Sequence, residues 1–339
     1  MRRVRRQGAI EFSYQDPTGL RELREAICAY LAVSRGIVCL PEQVLVTAGF
    51  RGALNLIAAT VLRAGDSVWC EDPGYPLARR MLEATGAHIT PVPIDHDGLR
   101  VAEGIARAPD AALAVVTPSH QYPLGVSLSL TRRLALLDWA ASSKAWIIED
   151  DYDSEYRYAG QLVPTLKALD RVNRVLYVGT FSKTLFPALR LGYVVVPEEQ
   201  VPAFVSACRV LGVGRPPLEQ AVVADFMAHG HFGRHLKRMR GLYAARRQAL
   251  ADALINAFGS RISLELQAGG MHLLARFTDQ VGDVVLEERA ARHGLAPTAL
   301  SSRAIEADCG SGLLLSFTNI AETNANEMSM RLFRSLVAS

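Results

Sequence analysis

A lysine and an aspartate, each placed soon after a short apolar run, could together support chemistry on a carbonyl compound. Lys183 follows the β-branched run 175–178, and Asp150 follows a second run at 146–148. Both runs predict buried strands, and ligands of open α/β sheets bind beyond the carboxyl ends of the strands. A desolvated lysine can be the neutral amine that attacks an aldehyde, and an aspartate can keep a pyridine nitrogen protonated. We therefore predict that Lys183 forms an imine with a carbonyl cofactor.

Four motifs around these two residues carry a resemblance to a known family. Segments 180–183 (TFSK) and 189–192 (LRLG) resemble the Schiff-base lysine motif of fold-type I pyridoxal-phosphate (PLP) enzymes, the aspartate aminotransferase superfamily. Segments 147–155 (IIEDDYDSE) and 117–125 (TPSHQYPLG) resemble the aminotransferase-like domain of MocR-type regulators. Those regulators form a GntR subfamily in which a winged helix-turn-helix precedes a PLP-binding domain. The resemblance extends from Tyr14 to the C-terminal helix.

The resemblance implies an α/β fold, the PLP-dependent transferase fold of type I. This fold has a mostly parallel seven-stranded sheet sandwiched by helices and a smaller α+β domain. Alternating helix and strand patterns through residues 77–117 support a parallel sheet with right-handed crossovers. We predict a basic tail at 1–13, a large PLP-binding domain at 14–212, and a helical connection with a small C-terminal domain at 213–339.

Composition limits the class of protein. The 339 residues suffice for a large domain and a smaller one, and the net charge of +3 comes from 37 basic and 34 acidic residues. Four of the basic residues lie in the tail, so the body is near neutral, which argues against a nucleic-acid surface. The five cysteines form no C-x-x-C motif and predict reduced thiols in the cytoplasm. No apolar run approaches ~18 residues, so no membrane span is predicted.

The resemblance assigns roles around the cofactor ring. Lys183 would hold PLP as an internal aldimine and carry protons if there is turnover. Asp150 would pair with the pyridinium nitrogen, and Tyr152 would donate to the phenolic oxygen. Because a second carboxylate, Asp151, follows directly, the pairing has an ambiguity of one residue. Tyr75 would stack its ring on the pyridine, although a tyrosine in a turn is the alternative.

The resemblance also implies a phosphate site. One part would be an arginine, by its charge, and two hydroxyls, by hydrogen bonds: Arg190, Thr180 and Ser182. A glycine turn at a predicted helix N-terminus would present free N–H groups to the anion. That turn consists of Gly49, Phe50 and Arg51. Whether its side chains contribute, or only its backbone, stays open.

Tyr14 precedes a predicted amphipathic helix. Asp16 and Pro17 are interpreted as the N-cap and first residue of that helix. In the superfamily, a tyrosine in this setting reaches the cofactor phosphate of the other subunit, so the resemblance implies a homodimer with sites at the interface. The alternative is that Tyr14 only packs at the start of the helix.

The predicted substrate side departs from the enzyme pattern. Catalytic family members carry an arginine in a late strand, within Arg-x-Ser-Phe, that clamps the substrate carboxylate. In this chain Leu314 occupies that position. Arg303 or Arg276 could substitute, but nothing in the sequence positions them. Ordinary aminotransferases have an asparagine where this chain has Tyr122, a departure that favours the MocR-like branch.

Three histidines have competing interpretations. His120 could be an acid or base near the cofactor or a hydrogen-bonded structural residue. His231 and His235 have the i, i+4 spacing of zinc ligands, but no third ligand is in view, so metal binding is disfavoured. The basic residues of 232–250 predict a solvated helix face rather than a DNA-binding surface.

These observations favour the PLP-binding effector domain of a MocR-type regulator, sensing or transaminating a small-molecule amine or amino acid. DNA would be bound only through a winged helix-turn-helix, which we expect to be absent from this chain. The alternative function is a free-standing PLP-dependent amino acid aminotransferase. A binding protein that has kept the fold without the cofactor is the third hypothesis, and the set of Lys183, Asp150 and Tyr152 argues against it.

Overall fold

The computed structural model describes residues 16–160, 163–278 and 281–337. Its strands are β1 (Val44–Thr47), β2 (Ser67–Asp72), β3 (His88–Asp95), β4 (Gly98–Leu99), β5 (Leu113–Val116), β6 (Trp146–Asp151), β7 (Val175–Thr180), β8 (Gly192–Val195), β9 (Ile262–Glu265), β10 (His272–Phe277), β11 (Thr298–Ala299) and β12 (Leu313–Ser316). Its α-helices are α1 (Arg21–Arg35), α2 (Gly49–Val61), α3 (Pro76–Glu83), α4 (Val101–Arg107), α5 (Leu130–Ser143), α6 (Leu166–Leu169), α7 (Phe181–Thr184), α8 (Val201–Leu211), α9 (Pro217–Ala228), α10 (His231–Phe258), α11 (Asp283–Arg292) and α12 (Ala325–Val337).

The larger sheet has the strand order β1-β8-β7-β6-β5-β2-β3-β4. Strands β2, β3, β5, β6 and β7 are joined by parallel pairings, whereas β8 is antiparallel to both of its neighbours. The predicted α/β class with a mostly parallel sheet is therefore confirmed. Within the described residues the sheet has eight strands rather than seven, because the two-residue β4 pairs antiparallel with the end of β3.

Both faces of this sheet are covered, which explains why its strands are continuous apolar runs. Neighbouring residues on β6 point to opposite faces: Ile148 joins the core packed under α2, and Ile147 joins the core packed under α5. In the second core the Trp69 and Trp139 rings stack with centroids 3.8 Å apart. Burial on both faces fixes β6 and β7 as the rigid centre of the molecule.

A smaller antiparallel sheet has the strand order β11-β12-β10-β9. Together with α10, α11 and α12 it forms a separate core, distinct from the cores of the larger sheet. It contacts the larger part where the backbone N–H of Tyr158 donates to the carbonyl of Ala268 over 2.8 Å. The predicted boundaries of the tail and the two domains stay predictions. In the part of the chain that the structure describes, no helix is long and apolar enough to cross a bilayer.

The predicted cap of the first helix is wrong. Helix α1 begins at Arg21, after Leu20, with no side-chain cap. The carboxylate of Asp16 instead accepts from the backbone N–H and the hydroxyl of Thr18, at 2.9 and 2.6 Å, and so closes a local turn. Such turns compete with helix capping for the same side chain. Gly19, with a φ of +106°, then redirects the chain into the helix.

Candidate active site

A cleft of about 820 Å³ lies between the larger and the smaller sheet. It is lined by ten of the eleven residues predicted from the sequence: Gly49, Phe50, Arg51, Tyr75, Asp150, Tyr152, Thr180, Ser182, Lys183 and Arg190. The eleventh, Tyr14, lies outside the described residues. Residues far apart in the chain therefore meet in one concave site, which is the usual setting for ligand binding in an α/β protein.

Parallel pairing of β6 with β7 brings the aspartate and the lysine together. Asp150 pairs in register with Val178, and Lys183 follows on α7, directly after β7. The Thr180 hydroxyl caps this one-turn helix by accepting from the backbone N–H of Ser182 over 3.2 Å. Strands β6 and β7 end at Asp151 and Thr180, beyond the predicted ends at residues 148 and 178. Polar residues that were expected to follow the strands therefore form their last residues. Lys183 is exposed to the cleft.

Asp150 faces the cleft. It is 8% exposed, and within the described residues no hydrogen-bond donor reaches it. Burial, followed by the charges of Asp151 and Asp153, raises its pKa well above the ordinary value, and Lys183 acts in the opposite direction. Such a group would be stabilised by a donor that enters the cleft.

Asp151 points away from the cleft into a buried ion-pair network. Its carboxylate accepts from Arg35 Nε over 2.6 Å and from the Tyr177 hydroxyl over 2.5 Å. Burial acts to raise its pKa, but Arg35 and the hydrogen bonds outweigh burial and the pKa is lowered. Arg35 also donates to Glu155 over 2.7 Å. Sequence reasoning missed Arg35, because nothing in the local pattern of α1 shows a contact with a residue 116 positions away.

Tyr152 is held by His120. The Tyr152 hydroxyl lies 2.9 Å from His120 Nδ1, which is also 3.1 Å from Asp153. Burial raises the pKa of Tyr152 well above its ordinary value, so the phenol stays protonated. The His120 ring is packed closely against two glycines. A Cβ on Gly270 would lie 2.1 Å from the ring, and a Cβ on Gly125 would lie 2.9 Å from it. Of the two interpretations of His120, its geometry favours a structural residue that orients Tyr152.

The opposite end of the cleft has the chemistry of an anion site. Helix α2 begins at Gly49 after an N-cap that provides no side-chain hydrogen bond, and residues 48–51 at its start line the cleft. A Cβ on Gly49 would lie 3.8 Å from the Ser182 hydroxyl and 4.0 Å from that of Thr180. A Cβ on Gly192 would lie only 2.8 Å from Gly49, which explains the glycine there. Arg190 adds a positive charge.

Aromatic rings form one side of the cleft. Tyr75, 38% exposed, makes edge contacts with Phe50 and Tyr122 at centroid distances of 6.0 and 5.9 Å. Asp72, just before it, accepts backbone N–H groups of residues 305–307 at 2.7 to 2.8 Å. These hydrogen bonds connect the turn that contains Tyr75 to the loop at residues 305–307, which precedes β12 of the smaller sheet. The predicted stacking of Tyr75 on a cofactor stays a prediction.

The smaller sheet forms the remaining wall, and it includes Leu314. Of the two arginines considered as substitutes, Arg276 is engaged elsewhere, since it pairs with Glu265 over 2.6 Å. Arg303 lies in an adjoining pocket beside Tyr75, and its Nε is buried without a partner. Neither arginine lines the cleft itself.

The histidines on α10 have separate partners. His235 Nε2 lies 2.9 Å from the carbonyl of Thr184, and His231 Nδ1 lies 2.8 Å from Arg234. Among residues 16–160, 163–278 and 281–337, no three His, Cys, Asp or Glu side chains are grouped to hold a metal ion.

Comparison with known proteins identifies the family. The model of the family described as aminotransferase class I and II matches residues 3–304. The chain belongs to this family. Among curated aminotransferase-like relatives, the probable rhizopine catabolism regulatory protein MocR of Rhizobium meliloti is 39% identical over 309 residues, 91% of this chain and 62% of the relative. The HTH-type pyridoxine biosynthesis transcriptional regulator PdxR of Corynebacterium glutamicum is 38% identical over 287 residues, 84% of this chain and 60% of the relative.

Solved aminotransferase structures share the fold. LysN, an alpha-aminoadipate aminotransferase from Thermus thermophilus, superposes with a TM-score of 0.89 at 26% identity, covering 99% of this chain and 86% of LysN. That structure is complexed with N-(5'-phosphopyridoxyl)-L-leucine, so the family implies PLP as the cofactor. The chain is thus an aminotransferase-like domain closely related to the effector domains of MocR-type regulators, and it spans about six tenths of the length of the two regulators.

Proposed function

We propose that this chain is the PLP-binding, ligand-sensing domain of a MocR-type transcriptional regulator, with the cofactor held at Lys183. The observation that carries the proposal is that Lys183 and Asp150 line the same cleft. Asp150 is a buried carboxyl with a raised pKa and no hydrogen-bond donor within the described residues. A ligand that enters the cleft with a hydrogen-bond donor would satisfy this carboxyl.

The residues of the cleft suit both the ring nitrogen and the phosphate of PLP. The unpartnered carboxyl of Asp150 suits a ring N–H, which would relieve the cost of its burial. The first turn of α2, the hydroxyls of Thr180 and Ser182, and Arg190 suit a phosphate dianion. Gly49 leaves the space in which such an anion could approach the backbone.

When bound, PLP supplies an aldehyde that condenses with amines and a ring that draws electrons from the amine-bearing carbon. Lys183 would provide the amine that holds this aldehyde, and its free amine would be placed to act as a base toward the bound ligand. Asp150 keeps the ring nitrogen protonated. Tyr152 donates its hydroxyl hydrogen toward the ring oxygen while His120 fixes its orientation. Tyr75 covers the ring on the open side of the cleft.

The regulatory part of the proposal rests on relatives. The curated regulators are longer than this chain, and their names describe transcriptional regulation. We infer that the ligand is a small-molecule amine or amino acid, and that DNA is bound by a winged helix-turn-helix outside the described domain. The protein would act in the cytoplasm, in keeping with the absence of disulfides among its five cysteines. We infer a homodimer, and a monomer by light scattering with PLP bound would contradict that inference.

The experiment is a PLP titration of the purified chain followed by absorbance, then addition of amines and amino acids with an assay for keto products. A visible cofactor band that shifts with ligand but yields no product supports the sensing domain. Stoichiometric loss of the band with a keto acid would instead support the aminotransferase alternative, which the set of Lys183, Asp150 and Tyr152 also permits. No PLP-dependent band at saturating cofactor would contradict both functions.

A further inference from the structure

The two sides of the cleft differ in charge, and the difference bears on the ligand. The large-sheet wall consists of the lining residues from 48–51, 150–152 and 180–190, and the small-sheet wall of Met271, His272, Ala296, Thr298, Leu314 and Ser316. We propose that the ligand recognised here is a primary amine whose amine-bearing carbon carries no carboxylate. The inference rests on the proposed function, because it takes the ligand's amine to meet the cofactor held by Lys183.

Among the residues that the structure describes, the arginine and lysine side chains that line the cleft lie on the large-sheet wall. They are Arg51, Lys183 and Arg190. Arg51 and Arg190 lie at the anion site at the start of α2 and would be engaged by a phosphate bound there. Lys183 would be engaged by the cofactor aldehyde. A ligand joined through its amine would then direct its other substituents at the small-sheet wall. Within the described residues of this chain, that wall is the part of the cleft left to recognise those substituents.

Leu314 makes the centre of the small-sheet wall apolar. It is 6% exposed and forms a buried cluster with Leu274 and Leu300. Its neighbours in the sheet are Leu274 on β10 and Thr298 on β11. A carboxylate placed against this cluster would lose hydration without gaining an ion pair. Leaving a charged group unpaired in this way is costly.

The other polar groups near this wall do not supply a positive charge. His272 lies 3.0 Å from the carbonyl of Pro123, and burial together with the charge of His120 lowers its pKa to about 4, so it is neutral at physiological pH. Arg276 is held by Glu265. Arg303 lies in the adjoining pocket behind Tyr75. The hydroxyls on the wall, those of Thr298 and Ser316, suit neutral substituents of a ligand.

The test compares each amino acid with the amine that lacks only its carboxylate. The pairs are L-alanine with ethylamine, L-serine with ethanolamine, and L-phenylalanine with phenethylamine. Binding to the PLP-loaded chain is measured by the shift of the cofactor band and by calorimetry, and free PLP with the same pairs gives the intrinsic preference. After that correction, we expect the amine to bind about tenfold or more tightly than the amino acid in the pairs that bind. Equal or tighter binding of the amino acids overturns the inference.

A charge introduced on the small-sheet wall should reverse the preference. Leu314→Arg is expected to strengthen amino-acid binding about tenfold and to leave the amines unchanged or weaker. Leu314→Met is the matched control and should keep the wild-type preference. Retention of the cofactor band and thermal unfolding report whether each variant folds. If Leu314→Arg does not fold, the wild-type pairs decide the question alone.

Three further outcomes separate this inference from the proposed function. If the wild type prefers amino acids and Arg303→Gln removes that preference, the carboxylate reaches Arg303 and the inference is overturned while the proposed function stands. If the wild type forms no cofactor band, both are overturned. A normal band without the expected preference contradicts the inference alone.

Discussion

The two walls of the cleft differ in the kind of residue that each presents. The large-sheet wall contains Arg51 and Arg190 as well as Asp150 and Lys183, the last two on β6 and α7. The small-sheet wall is neutral, with Leu314 at its centre and His272 uncharged. The difference teaches that holding a cofactor and selecting a ligand are separable tasks in this fold. We expect changes on the first wall to affect cofactor binding and changes on the second to affect the choice of ligand.

The largest effect is expected from Lys183→Ala. Because this substitution removes the amine that holds the cofactor, the visible band of the lysine-linked cofactor should disappear completely in an absorbance spectrum with PLP. Lys237→Ala, which changes an exposed lysine on α10, is the matched control and should retain the band. A normal spectrum in Lys183→Ala would contradict the assignment of the large-sheet wall as the cofactor site.

The adjacent aspartates should respond in opposite ways. Asp150→Asn is expected to weaken PLP retention about 10- to 100-fold, measured by dialysis, with little loss of stability, because the carboxyl has no partner in the fold. Asp151→Asn should cost ~3 kcal/mol of unfolding free energy in urea, since it leaves buried Arg35 short of a partner. The reverse order of effects on PLP retention would exchange the two roles.

A smaller effect is expected at Tyr75. If its ring stacks on the cofactor, Tyr75→Ala should weaken PLP binding about tenfold, because a stacked aromatic contact contributes roughly 1 kcal/mol beyond area burial. Tyr75→Phe keeps the ring and should bind PLP as the wild type does. Fluorescence titration of the two variants checks this, and equal affinities in all three proteins would argue against stacking.

The last prediction concerns stability rather than binding, and it is a pH dependence carried by His272. Its pKa of about 4 in the fold lies below the ordinary value of 6.5, so the unfolded chain binds this proton first as the pH falls. Stability should therefore decrease between pH 6.5 and 4, with a contribution of ~3 kcal/mol from this residue. Urea unfolding of His272→Gln should show a flatter profile in that window. His88→Gln, at an exposed position on β3, should follow the wild type.

Much of the large-sheet wall could be predicted because its signals are local. Apolar runs followed directly by Asp150 and Lys183 indicate strand ends, and a glycine turn before a helix indicates an anion site. The resemblance then supplied the order of the motifs. The fold places these segments at one edge of the sheet since neighbouring parallel strands end together.

The remainder depends on contacts between distant residues. The ion pair of Arg35 with Asp151, the hydrogen bond of His120 with Tyr152, and the partners of Arg276 have no signature in the local sequence. The prediction that Asp16 caps α1 was wrong because a short polar side chain can close a turn as readily as it caps a helix. Strand register and tertiary packing decide such features.

Borohydride reduction of the PLP-loaded chain, followed by peptide mass mapping, tests the central claim most directly. Reduction makes the link between the cofactor and its lysine permanent, so the modified residue can be identified by mass. The account predicts one cofactor per chain, on the peptide that contains Lys183. Modification at Lys144, Lys167 or Lys237 instead, or no modification at saturating PLP, would contradict it.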